Sequence, residues 1–247
     1  MRLYNLYSDI NLRRIRTHMV IEHCLMFEGV DLIDILSTHF KSLHKVLEKS
    51  GVNVGSLKMV GRGDKGTAFS DGKVIVKVTE DSREAVSSAN MLGKKIKGVN
   101  NIHFVGKFPK EIPYQEEGDE EPIDTRYYIV IQDLLDTRLS SRESEIANLV
   151  GDFLSTYYSR IKWPFDVKKM INNVYHYGYQ KYSKNFISPH HSAMIGDLLN
   201  AVMSLNSIGV KFFDVSSENV GKNVKGDYTI FDLGISDSPP LDVPIIQ

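Results

Sequence analysis

Residues 57–78 write out a glycine-tipped hairpin, and that stretch excludes more folds than any other in the chain. Leu57 to Phe69 carries Gly61, Gly63 and Gly66 at the G-x-G-x-x-G spacing, which also opens a dinucleotide-binding strand–helix unit. Such a unit needs a helix directly after the third glycine. Here Ser70-Asp71-Gly72-Lys73 is a turn, and Val74-Ile75-Val76-Lys77-Val78 is a strand of mostly β-branched residues. The glycines therefore sit in a β-hairpin. A tip without side chains can lay backbone N–H groups over phosphates, and the returning strand can aim a lysine at them. Lys77 has the position for this. A surface lysine on an edge strand is the alternative, but its neighbours are all valine and isoleucine, so the strand is expected to be buried on both faces and its lysine to need a partner.

A second stretch, Gly209 to Ser236, concentrates oxygen ligands. Asp214 is followed five residues later by Asn219, and Asp232 lies beyond a short hairpin. Val220 and Val224 flank a Lys225-Gly226-Asp227 turn, and Tyr228-Thr229-Ile230-Phe231 is rich in strand formers. Folding back in this way would bring Asp232 beside the loop that holds Asp214 and Asn219. Asp and Asn oxygens are hard ligands suited to magnesium. The same residues would also serve as ordinary turn and cap positions, and the spacing alone does not choose between the two.

The composition is that of a globular chain. Its 247 residues, 42% hydrophobic, suffice for one large domain or two small lobes. A formal charge of -1 with interspersed signs argues against nucleic acid as a partner. No apolar run approaches a membrane span, and the arginines of the first 16 residues break any signal-peptide core, so a cytoplasmic, intracellular protein without a membrane partner is expected. Cys24 is a lone thiol and reads as a small buried hydrophobe. His18, His23, His39 and His44 lack metal-ligand spacing, and residues 116–122 form a charged, solvated loop.

Helical periodicity marks the rest. Leu32 to Leu47 recurs at helical spacing after an Asp31 cap, and a helix-like pattern runs over residues 144–161 until Trp163-Pro164. Asp166 caps a further helix, and residues 197–210 form an apolar helix that feeds Asp214. Ile102 to Phe108 and Tyr127 to Ile131 read as strands, the latter ending in Asp133-Leu134-Leu135.

Asp214-x-x-x-x-Asn219 followed by Asp232-Leu233-Gly234 resembles the catalytic and magnesium loops of the protein kinase-like superfamily, D-x-x-x-x-N and D-F-G. Val74-Ile75-Val76-Lys77 is similar to that family's V-A-I-K strand, and the glycines to its glycine-rich loop. The resemblance implies an α+β, two-lobed protein kinase-like fold. An N-terminal helical extension (1–52) would precede an antiparallel-sheet N-lobe that binds nucleotide (53–135) and a reduced helical C-lobe (136–247). It implies ATP and Mg2+ as cofactors. Gly61, Gly63 and Gly66 would cover the phosphates, Ala68 and Ile75 one face of the adenine, and backbone groups of Asp133, Leu134 and Leu135 its edge. Lys77 would hold the α and β phosphates, with Glu84, or alternatively Glu80, fixing it. Asn219 and Asp232 would bind magnesium, and Asp214 would orient and deprotonate the acceptor.

Departures from the family are specific. The usual arginine before the catalytic aspartate is Phe213, and the lysine two residues after it is Ser216, with Lys211 and Lys222 the nearby cations. Gly221 stands where the adenine floor usually lies. No A-P-E motif follows Gly234, which resembles a minimal kinase lacking the helices that normally follow the D-F-G segment. Three activities fit: a serine/threonine kinase with a protein substrate, a small-molecule kinase similar to aminoglycoside or choline phosphotransferases, and a nucleotide-binding pseudokinase acting through protein partners. Joint presence of Lys77, Asp214, Asn219 and Asp232 speaks against the third. An acidic pocket within residues 136–190 would favour a cationic small substrate.

Overall fold

A computed structural model describes residues 43–63, 65–109, 111–114, 123–182, 189–233, 236–237 and 241–246. Cys24, three of the four N-terminal histidines, the acidic segment 116–122, Gly234 and most of the expected N-terminal extension lie outside them. The chain forms two compact units. Described residues of the first fall within Met1–Ser82, His103–Gln132 and Val243–Gln247; those of the second fall within Arg83–Ile102 and Asp133–Asp242.

The first unit is built on a five-stranded sheet. Strands β1 (Lys58–Gly63), β2 (Gly66–Ser70), β3 (Val74–Thr79), β4 (Ile102–Lys107) and β7 (Tyr128–Asp133) are arranged in the order β1-β2-β3-β7-β4. Strands β5 (Ile112–Tyr114) and β6 (Ile123–Thr125) form a separate two-stranded ladder. The expected hairpins are present: β1–β2 and β2–β3 are both antiparallel, with a bulge between Met59 and Gly61. Asp71 organises the second turn, its carboxylate accepting from the N–H groups of Lys73, Val74 and Asn53. Its burial alone would raise the carboxyl pKa, but these backbone donors outweigh that and hold it below the usual value.

Strand β3 is sealed on one face only, which corrects the expectation of burial on both. Val76 and Val78 are 3% and 2% exposed, in a core shared with Phe69, Ile129, Ile131 and Phe108. Ile75 and Lys77 on the opposite face are half-buried. A valine–isoleucine run suits a strand covered twice, yet an antiparallel sheet closes its core with one face alone. Leu43 and Leu47, from a helix over residues 43–49 (α1), cover that face. So does Ile246, whose N–H donates to the Lys107 carbonyl at 2.9 Å, while Lys107 N–H donates to the Pro244 carbonyl at 2.8 Å.

The second unit is mainly helical, with α2 (Ser82–Met91), α3 (Ser141–Tyr157), α4 (Val167–Tyr182) and α5 (Pro189–Ser207). A capping box starts α3: Glu143 N–H donates to Ser140 Oγ, and Ser140 N–H donates to Glu143 Oε2. Asp166 caps α4 as its sequence suggests, accepting from the N–H groups of Lys168 and Lys169 at 2.8 and 3.2 Å. Leu149, Leu154, Ile195, Leu198, Leu199, Val202 and Leu205, all fully buried, join α3 and α5. Gly209, at φ +86, lets the chain leave α5 and enter the short strand β8 (Lys211–Phe212), which pairs with β11 (Ser236–Asp237).

Residues 83–102 fall in the second unit, whereas the sequence reading grouped them with the sheet. Backbone pairing accounts for the difference. Asn100 N–H donates to the Ile230 carbonyl at 2.8 Å, and Ile230 N–H donates to the Gly98 carbonyl at 2.9 Å. Ile230 lies in β10 (Tyr228–Ile230), antiparallel to β9 (Val220–Lys222) across the expected turn at 223–227. The fold is thus α+β. Among the described residues no helix is long and apolar enough to cross a membrane.

Candidate functional site

Asp214 lies in the loop between β8 and β9, and the residues on either side of it are locked. Phe212 and Val215 are 0% and 2% exposed. Against Val215 lies Gly151 of α3, at which an added β-carbon would stand 1.8 Å from the Val215 carbonyl oxygen. Asn148, one helical turn earlier, accepts a hydrogen bond from Ser217 N–H at 2.8 Å. Helix α3 therefore props the loop from beneath.

Asp214 and Asn219 are joined directly. The side-chain amide of Asn219 donates to both the backbone carbonyl and the carboxylate of Asp214, each at 2.9 Å. Asn219 in turn accepts from Phe231 N–H at 3.0 Å, which draws the segment carrying Asp232 alongside. Burial pushes the Asp214 carboxyl above its ordinary value, opposed by the Asn219 hydrogen bond and reinforced by the negative charges of Asp232 and Glu218. With its side-chain NH2 used on Asp214 and its backbone carbonyl on Phe231, Asn219 keeps its side-chain oxygen as an acceptor. That oxygen and the Asp232 carboxylate are each hard donors of the kind magnesium takes. Among the described residues no cluster of three or more His, Cys, Asp or Glu forms a metal group, so such a site depends on the asparagine.

Phe213 and Gly221 each have a structural consequence. Phe213 packs on Tyr158, with ring centroids 5.4 Å apart, and Tyr158 continues to Trp163 at 5.1 Å and Trp163 to Phe165 at 5.0 Å. Gly221 makes room for Leu135: a β-carbon there would lie 3.0 Å from Leu135 Cβ, and the neighbouring Lys222 exchanges backbone hydrogen bonds with Asp136. Lys222 is committed elsewhere, so it does not replace the lysine absent at Ser216. Its ammonium is 2.7 Å from Glu143, which also accepts from the Tyr228 hydroxyl. Burial would raise the Glu143 carboxyl, but Lys222, Tyr228 and Ser140 together hold it at about 2.

The remaining sequence candidates divide between the units. In the first, Gly61, Ala68 and Lys77 form one row across β1, β2 and β3, each directly opposite the next, and Gly63 faces Gly66 at the tip. Ala68, Ile75 and Lys77 are half-buried on one face of the sheet. In the second, Glu84 is 3% exposed, Asp133 ends β7, and Leu134 and Leu135 follow it. Glu80 belongs to the first unit and is half-buried, and its N–H donates to the Lys65 carbonyl at 2.9 Å. Asp133 N–H is already donated to the Asn101 carbonyl at 3.2 Å, and its own carbonyl accepts from the Asn100 side chain at 2.9 Å. That leaves positions 134 and 135 with the greater freedom to meet a ligand.

Sequence reasoning missed Glu143, Asn148, Gly151 and Tyr228. Ser140-x-x-Glu143 carried a readable capping-box signal, and a glycine inside the apolar pattern of α3 signals close approach. Asn148 gave none. No family model matches the chain, and no curated protein matches it.

Proposed function

We propose that the chain is an ATP- and magnesium-dependent phosphotransferase that moves the γ-phosphate to a hydroxyl, acting as a serine/threonine protein kinase of the protein kinase-like superfamily. One observation supports this above the rest: a half-buried Asp214 carboxylate, clamped by Asn219 and facing the charge of Asp232. Raised by burial, that carboxyl is a better general base than an exposed aspartate. Asp214 orients the acceptor hydroxyl and takes its proton as the oxygen attacks the γ-phosphorus and the bond to the ADP oxygen breaks. Gly61, Gly63 and Gly66 cover the phosphates, Ala68 and Ile75 the adenine face, the backbone at Leu134 and Leu135 its edge, and Lys77 the α and β phosphates. Glu84, or alternatively Glu80, would support Lys77, as the resemblance implies. Magnesium bound by Asn219 and Asp232 would supply positive charge against the phosphate oxygens. A protein acceptor is favoured over a cationic small molecule because the cavity within residues 136–190 is lined by Arg160, Lys162 and Lys169 and is not acidic.

The test is incubation of the full chain with radiolabelled ATP, magnesium and casein, alongside Asp214→Ala. Label on serine or threonine, lost about 10²-fold or more in the variant while a fluorescent ATP analogue still binds, is the expected result. ATP binding without turnover in the parent chain would leave a pseudokinase. Failure to bind ATP would overturn the reading entirely.

A further inference from the structure

The aromatic chain that starts at Phe213 ends at a groove that holds none of the residues given a part in the phosphoryl-transfer step. Phe165 lines this groove of about 640 Å³ between the end of α3 and one side of α4. Its floor is a rigid ring cluster: Phe153, Tyr157 and Tyr177 pack on one another at centroid distances of 5.2, 5.8 and 5.9 Å. Around it stand Arg160, Lys162 and Lys169, all exposed, and none forms an ion pair among the described residues. The one carboxylate lining the groove, Asp166, is turned to the N–H groups that begin α4. Three unneutralised cations thus surround an apolar floor in a chain whose net charge is -1.

We propose that this groove docks an acidic peptide segment of a partner protein, an aromatic or aliphatic side chain seated on the Phe153–Tyr157–Tyr177 floor and its carboxylates facing Arg160, Lys162 and Lys169. Charge complementarity selects the sign of the partner. A single nucleic-acid strand is the lesser fit, because base stacking needs open ring faces along a track. Tyr177 meets Phe153 and Tyr157 edge to face, at 67° and 88°, and Phe153 is only 5% exposed. The cations supply encounter rate and salt dependence, and the rings the anchor.

Fluorescence anisotropy of the full chain with a short labelled peptide, Asp- and Glu-rich around Phe-x-x-Leu, tests this without ATP, so the result is independent of the phosphotransfer reading. Saturable binding is expected, weakened about tenfold or more by Lys162→Glu combined with Lys169→Glu, and separately by Tyr177→Ala. Lys225→Glu, on the exposed β9–β10 turn, should leave it unchanged. Binding that ignores the groove variants, no binding, or tighter binding of an oligouridine that is lost in the same variants would each overturn the proposal.

Discussion

Replacing Gly151 by alanine tests the contact on which the position of Asp214 depends. In an ordinary helix interior the change would stabilise, by about 1 kcal/mol, because glycine is the poorer helix former. At this site the new β-carbon would stand 1.8 Å from the Val215 carbonyl oxygen, and must retreat by at least 1.2 Å to reach the 3.0 Å below which such contacts essentially never occur. The obstacle is backbone and cannot rotate away. Overpacking of this kind costs about 1–3 kcal/mol, and a backbone obstacle belongs at the upper end. Set against the propensity gain, the net is a destabilisation of about 2 kcal/mol, or a melting temperature lower by about 4–8 °C. Gly196→Ala in α5 is the control, since its β-carbon would meet only Ile171 Cδ1, at an ordinary 3.4 Å. Circular-dichroism melts should therefore move in opposite directions for the two substitutions. Displacing Val215 also displaces Asp214, so the proposed phosphotransfer should fall about 10²-fold with the proposed ATP binding retained. A Gly151→Ala chain as stable and active as the parent would refute the reasoning.

Three further outcomes are expected. Asp214→Asn removes a half-buried charge facing Asp232 and Glu218, so at neutral pH it should raise stability by about 0.5–1 kcal/mol in denaturant titrations while abolishing the proposed phosphotransfer. The folded carboxyl is raised, so its ionisation opposes folding, and the variant's gain should vanish below the ordinary carboxylate range. Glu143 is the opposite case: its carboxyl is held at about 2 against an ordinary 4.5, so its contribution is complete above 4.5 and lost as pH falls towards 2. Glu143→Gln should cost on the order of 1–2 kcal/mol at pH 7, with the deficit closing across that window in acid-unfolding curves. Gly66→Ala would put a β-carbon 2.5 Å from the Val78 carbonyl and should destabilise the first unit by about 1–3 kcal/mol. Gly61→Ala meets nothing within 4 Å, and should melt with the parent chain.

The sequence announces its local features well. Asp71-Gly72 and Lys225-Gly226-Asp227 specify turns through side-chain acceptors and backbone freedom, and Asp166 caps α4, so hairpins and helix starts were legible residue by residue. Asp214 and Asn219 are five apart, and their hydrogen bond follows from that nearness. What stayed hidden is non-local. Val99 to Ile230 and Lys107 to Ile245 are parallel bridges between residues far apart in sequence, and isolated bridges leave no periodic pattern to read. Lys222 looked like a spare cation because its partner, Glu143, lies on another element. The one-sided burial of β3 was masked by composition, since valine and isoleucine serve equally on covered and half-covered faces.

The strand-like run Pro244–Ile246 governs when the first unit becomes whole. It seals the Lys107 end of β4, the edge strand, and places Ile246 in the core beside residues some two hundred positions upstream. A ribosome emitting this chain has released every other strand of that sheet before this stitch exists, and domains of synthesised chains generally settle from the N-terminal side. Here the nascent sheet waits, its flank open to stray pairing, until residues 244–246 arrive.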